Sequence, residues 1–179
     1  LDEDDPHYGY YSNHPEWHMY NKPEYPSHRQ IIDARDQVLA KHPKMRVVGA
    51  HLGSLEYDVA EIARRLDRYP NFAVDTSART KDLAVQDPEA VRQFMNAYQD
   101  RVLFGTDMVM RQSLSALSDE ERAARLAWAE GVWQREFAYY ETEAVFQVAS
   151  REVQGLGLAD GILQKLYHAN AAKWYPGLI

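Results

Sequence analysis

The sequence predicts an α/β fold built on a parallel sheet, and three observations carry that expectation. Two apolar runs stop abruptly on residues able to bind a metal or move a proton: Val47-Val48-Gly49-Ala50 before His51, and Val102-Leu103-Phe104-Gly105 before Thr106-Asp107. Runs of this kind, without polar alternation, suit strands buried on both faces. A third run, Phe72–Thr76, lies between them, and one helical stretch separates each pair, which is the cadence of βαβ units with right-handed crossovers. Ligands of such sheets collect at the carboxyl ends of the strands, where His51 and Asp107 fall.

Each element has a local reason. Residues 1–27 are rich in Asp, Tyr, His and Pro without clean periodicity, and are expected as an irregular aromatic loop. Ser27-His28-Arg29-Gln30 is a capping-box pattern that opens a helix through Ile31, Ile32, Ala34, Val38 and Leu39. His42-Pro43 closes it, because a residue before proline avoids the α region. The first strand is expected over Arg46–Ala50. Leu55, Val59, Ile62, Ala63 and Leu66 then mark an amphipathic helix from Leu55 to Leu66, which Tyr69-Pro70-Asn71 breaks before the second strand. Asp87-Pro88-Glu89 is a helix start with Asp as N-cap and Pro at the first helical position. That helix runs through Val91, Phe94 and Tyr98 into the third strand, Val102–Gly105. Ser118-Asp119-Glu120-Glu121 caps a long helix reaching Phe137, and Phe137–Tyr140 suits either a loop or a strand. After a Gly155–Gly157 turn, a final amphipathic helix runs from Ile162 to Trp174.

Composition narrows the function. The chain has 179 residues, 45% apolar and 26% charged, enough for one domain with a sizeable core. A net charge of −7 argues against nucleic acid or an anionic membrane surface as partner. No apolar run reaches the roughly 18 residues of a membrane span. The absence of cysteine excludes disulfides, thiolate metal sites and a cysteine nucleophile. There is no Gly-x-Ser-x-Gly elbow, P-loop or dinucleotide glycine fingerprint. Ser54 has no evident base beside it.

The ordered series Lys41-His42-Pro43, His51-Leu52-Gly53, Tyr69-Pro70-Asn71, Val74-Asp75-Thr76-Ser77-Ala78-Arg79, Tyr98 to Asp107 and Ile162 to Lys173 resembles the amidohydrolase superfamily. The resemblance is to its amidohydrolase-related, aminocarboxymuconate-semialdehyde-decarboxylase-like branch, from about His14 to Tyr175. It implies the C-terminal part, strands six to eight, of a (β/α)₈ TIM barrel with parallel strands and covering helices. Such barrels need about 250 residues. The family's His-x-His pair on strand one and its His on strand five match no segment of this chain. Residues 1–179 are therefore expected to be a single domain, a C-terminal fragment of the enzyme, with an apolar inner face, unpaired strand edges and a tendency to form a homo-oligomer.

The resemblance also implies site roles. Asp107 would contact a divalent metal, most simply zinc, and exchange a proton with the reactive water; as a bare residue it could equally be a turn or N-cap aspartate. His51 would orient that water or bind a second metal, where an isolated histidine on an apolar strand is ordinarily a core residue. Arg79 would either hold a substrate carboxylate or sit on the surface. Asp75 reads as a structural carboxylate bonded to nearby backbone or Arg. His14 and His18 flank Pro15-Glu16-Trp17 and lack the helical zinc pattern. Trp17, Tyr20 and Tyr25 are expected as a lid or packing shelf. The activity implied for the parent enzyme is hydrolysis of a small amide, ester or lactone, with the fragment alone expected to be inactive; the alternatives are non-oxidative decarboxylation of a small carboxylic acid, or a non-catalytic barrel relative or inactive fragment.

Overall fold

The computed structural model describes residues 3, 6–19, 21–109, 113–148 and 150–177. The three apolar runs form a parallel sheet in the order β1 (Val47–Gly49), β2 (Phe72–Asp75), β3 (Val102–Leu103). Val47 lies opposite Phe72 and Val74 opposite Val102. The strands are shorter than expected for identifiable reasons. β1 ends where Ala50 enters a tight turn. β3 ends because the Phe104 amide leaves the sheet and donates to the Leu166 carbonyl at 2.9 Å. Central β2 is the most buried, with Phe72, Ala73 and Val74 all inaccessible to solvent.

Side-chain alternation along the strands splits the core in two. Phe72, Val74 and Val102 pack with Ile32 and Leu39 of α2 (His28–Lys41), Ile62 and Leu66 of α4 (Val59–Arg68), and Val91 and Phe94 of α6 (Pro88–Ala97). Ala73 and Leu103, pointing the other way, are buried with Trp174 against Val48 and Ala171. That second face was expected to lie open; the C-terminal indole covers it, with Nε1 donating to the Asp100 carbonyl at 3.1 Å. Two asparagines of the motif series act as clamps. The buried Asn71 amide donates to carbonyls at the end of α2, including Met45 at 2.9 Å. Buried Asn170 donates to Gln99 and Val102 at 2.7 and 2.8 Å.

Both capping boxes form, Ser27 with Gln30 and Ser118 with Glu121. Elsewhere the local reading needs correction. Residues 1–27 contain a short helix, α1 (Tyr8–Ser12), and a 3₁₀ turn at Pro15–Trp17. The helix expected from Leu55 begins at Val59, because the Asp58 side chain caps it by accepting from Ala60 N at 2.8 Å. A turn of helix, α5 (Thr80–Ala84), follows β2. The long helix α7 spans Asp119–Glu141, so Phe137–Tyr140 is neither loop nor strand. An antiparallel hairpin, β4 (Val145–Val148) and β5 (Arg151–Gln154), precedes the glycine turn. The final helix starts at Asp160 and is interrupted: α8 (Asp160–Gln164), a π turn at Lys165–Ala169, then α9 (Asn170–Trp174). Among the described residues no helix is long and apolar enough to cross a membrane.

Candidate functional site

The loops leaving the carboxyl ends of all three strands carry non-glycine residues with positive φ. After β1, the short segment α3 (Ala50–Ser54) holds His51 and Leu52 at φ 55° and Ser54 at 57° around Gly53; Ala78 follows β2 at 57°, and Asp107 follows β3 at 54°. Each such residue costs about 1–2 kcal/mol, and backbone strain of this kind concentrates at working sites.

A small set of groups holds this backbone in place. Asp75 Oδ1, at the end of β2, accepts from the amides of His51 and Ser77, each at 3.1 Å. His51 Nδ1 lies 2.7 Å from the Ser77 carbonyl oxygen. A carbonyl can only accept, so in the neutral ring Nδ1 carries the proton and Nε2 keeps its lone pair. Gly49 is required because a Cβ there would meet the Phe72 ring at 2.8 Å and Gly53 Cα at 2.9 Å. A Cβ on Gly105 would displace the Ser77 hydroxyl, so Ser77 packs directly on the loop after β3. Asp75 is thus the structural carboxylate expected from the sequence, and Ser77 touches the loops on both sides of it.

His51, Arg79 and Asp107 line one cavity of about 750 Å³ above the strand ends. His51 is half-buried with no described partner on Nε2, and Asp107 is exposed, its carboxylate bonded to no described residue. The capping role open to an isolated aspartate is therefore not what Asp107 does. Arg79 is no free surface arginine: its side chain is 12% exposed, with Nε donating to Glu56 Oε1 at 3.1 Å and Nη1 to its neighbour Ala78's carbonyl at 3.2 Å. Nη2 has no partner among the described residues.

The segment expected as a lid divides. Trp17, together with His7, Tyr10 and Tyr11, reaches the cavity, whereas Tyr25 lines a separate groove beside Ser27, and Tyr20 lies outside the described residues. His7 Nε2 pairs with the buried Asp82 at 2.8 Å, and Lys81 Nζ donates to Pro6 O at 2.9 Å, which tie this segment to α5. His14 bonds Glu16 at 3.3 Å.

Sequence reading missed the contribution of α7 and the hairpin, which close the cavity with Trp128, Val132, Glu136, Tyr139 and Phe146. Burial outweighs the nearby Arg135 and pushes the Glu136 carboxyl up to about 7. Its helical spacing from Val132, Tyr139 and Tyr140 along α7 was the available signal. His7 sits in an aperiodic stretch and gave none.

His51 Nε2 and the Asp107 carboxylate suit a borderline cation such as zinc. A catalytic zinc takes about three protein ligands, and among the described residues no group of three or more His, Cys, Asp or Glu is placed to hold an ion. The pair alone does not make a metal centre.

A family model described as amidohydrolase matches residues 16–177 of the chain. No curated protein and no solved structure matches it.

Proposed function

Because the chain belongs to the amidohydrolase family, we propose that its strand-end cavity is part of an active site that hydrolyses a small organic amide, ester or lactone. One observation carries this reading: His51 and Asp107, from loops after the two outer strands, line the same cavity. The unpaired Asp107 carboxylate takes the proton of an attacking water, and His51, its ring fixed by Ser77, orients that water by accepting from it at Nε2. The sheet would be strands six to eight of a (β/α)₈ barrel, within a single domain over 1–179. A divalent metal, zinc by preference, would add Lewis acidity, with at least one further ligand from outside the described residues.

Decarboxylation of a small carboxylic acid is the second reading. It is favoured by the cationic residues among the cavity lining, Arg79, Lys81 and Arg135. Membership points to a hydrolase or a related decarboxylase without choosing between them. Product analysis over a panel of lactones, esters, amides and small aromatic acids separates the readings. Release of acid, alcohol or amine supports hydrolysis and release of CO₂ the alternative. Binding without turnover for every compound would leave a non-catalytic relative and overturn both.

A further inference from the structure

We propose that Glu136 is a proton-carrying carboxylic acid in the cavity wall that donates a hydrogen bond to an oxygen of a small anionic ligand with a flat apolar body. The proposal rests on the cavity being the ligand site and adds a residue that no strand-end motif contains. Along α7, Trp128, Val132, Glu136 and Tyr139 fall at helical spacing and all line the cavity. Glu136 Oε2 has no accessible surface and no bonding partner among the described residues. An ionised carboxylate with one oxygen stranded in this way is costly, whereas a neutral acid strands only a carbonyl-type oxygen. The proton then sits on Oε1, which also bonds no described residue and is not among the buried orphaned atoms, on a residue that lines the cavity.

The surroundings favour the neutral form. Arg135 on the same helix is the one cation that acts on Glu136, and burial outweighs it. Tyr140 on α7 and Tyr167 in the π turn interact electrostatically with the carboxyl, and burial holds both phenols protonated. The other titratable groups on the cavity are His7, Tyr10, Tyr11, His51, Arg79, Lys81, Asp107 and Tyr139. Arg79, Lys81 and Arg135 supply positive potential for an anion, while Trp17, Trp128 and Phe146 offer faces for a ring. An anion bound here keeps Glu136 protonated, and an ionised Glu136 repels it, so binding is linked to proton uptake.

Benzoate is the probe. Calorimetric titration of the full chain at pH 6 and pH 8 should show affinity weaker by about tenfold at the higher pH, the ratio set by an acid that titrates near neutrality. Glu136→Gln keeps a neutral donor and should bind at pH 6 within about threefold of the parent while losing the pH dependence. Carbon NMR of glutamate labelled at Cδ should show one carboxyl titrating near neutrality, absent in Glu136→Gln. Equal pH dependence in the parent and in Glu136→Gln, or no benzoate binding at pH 6, overturns the proposal. Loss of turnover in Asp107→Asn is scored separately, so a failed catalytic reading and a failed Glu136 assignment give different results.

Discussion

The His51 ring is locked to the neighbouring strand end by its 2.7 Å hydrogen bond to the Ser77 carbonyl, and the Asp75 carboxylate braces the amides of both residues. The imidazole is therefore held before any ligand arrives, with Nε2 the nitrogen left for chemistry.

Replacing Asp75 tests that brace. Asp75→Ala leaves two amides without their acceptor and should lower stability by about 2–4 kcal/mol in urea unfolding. Asp75→Asn keeps Oδ1 and should cost less than half as much. Equal losses for the two would mean that the charge of Asp75, and not its acceptor geometry, matters.

Gly49 tests the turn that carries His51. Gly49→Ala drives a Cβ into the Phe72 ring and the Gly53 backbone, and should destabilise by about 1–3 kcal/mol. Phe72→Leu beforehand should reduce that cost, because one of the two obstacles is gone. Additive effects in the double-mutant cycle would contradict the packing described.

The carboxyl of Glu136 ties stability to pH. Its folded pKa is raised to about 7 from the ordinary 4.5, so the folded state binds more protons between those values. Stability should fall as pH rises through that window, and be flat below it. The carboxyl is only partly shielded from solvent, so the loss should be on the order of 1 kcal/mol. Glu136→Gln should flatten this part of the profile in thermal melts at pH 4.5 and 7.5; an unchanged slope would place the titrating group elsewhere.

Metal content follows from the donor count. Zinc added to the chain should be removed by dialysis, because two donors fall short of the three that a catalytic site takes. Stoichiometric zinc retained after dialysis would show that further ligands join His51 and Asp107.

Much of this architecture was legible in the sequence, and the omissions have physical causes. The parallel strands and both capping boxes were readable because continuous apolar runs and Ser-x-x-Gln/Glu patterns act locally. His51 and Asp107 were readable because each ends such a run. Strand lengths were not, since β3 ends through a bond from Phe104 to the distant Leu166. The β4–β5 hairpin was hidden because the sequence between its strands, Ala149-Ser150, lacks the Asn, Asp or Gly that marks a two-residue hairpin turn. Arg79's partner Glu56 lies 23 residues away, beyond any local pattern. Glu136 was visible as a helical residue, but its burial depends on α7 folding back over the strand ends.

The central claim is that Asp107 and His51 act together on a substrate in one cavity. Its test is turnover of the best substrate from the panel by the parent protein, Asp107→Asn, His51→Ala and the double variant. Each single substitution should reduce kcat about 10²–10⁴-fold with folding intact, and the double variant should fall little further, as expected of groups acting as a unit. Full activity in Asp107→Asn, or independent multiplicative losses from the two residues, would contradict a shared site.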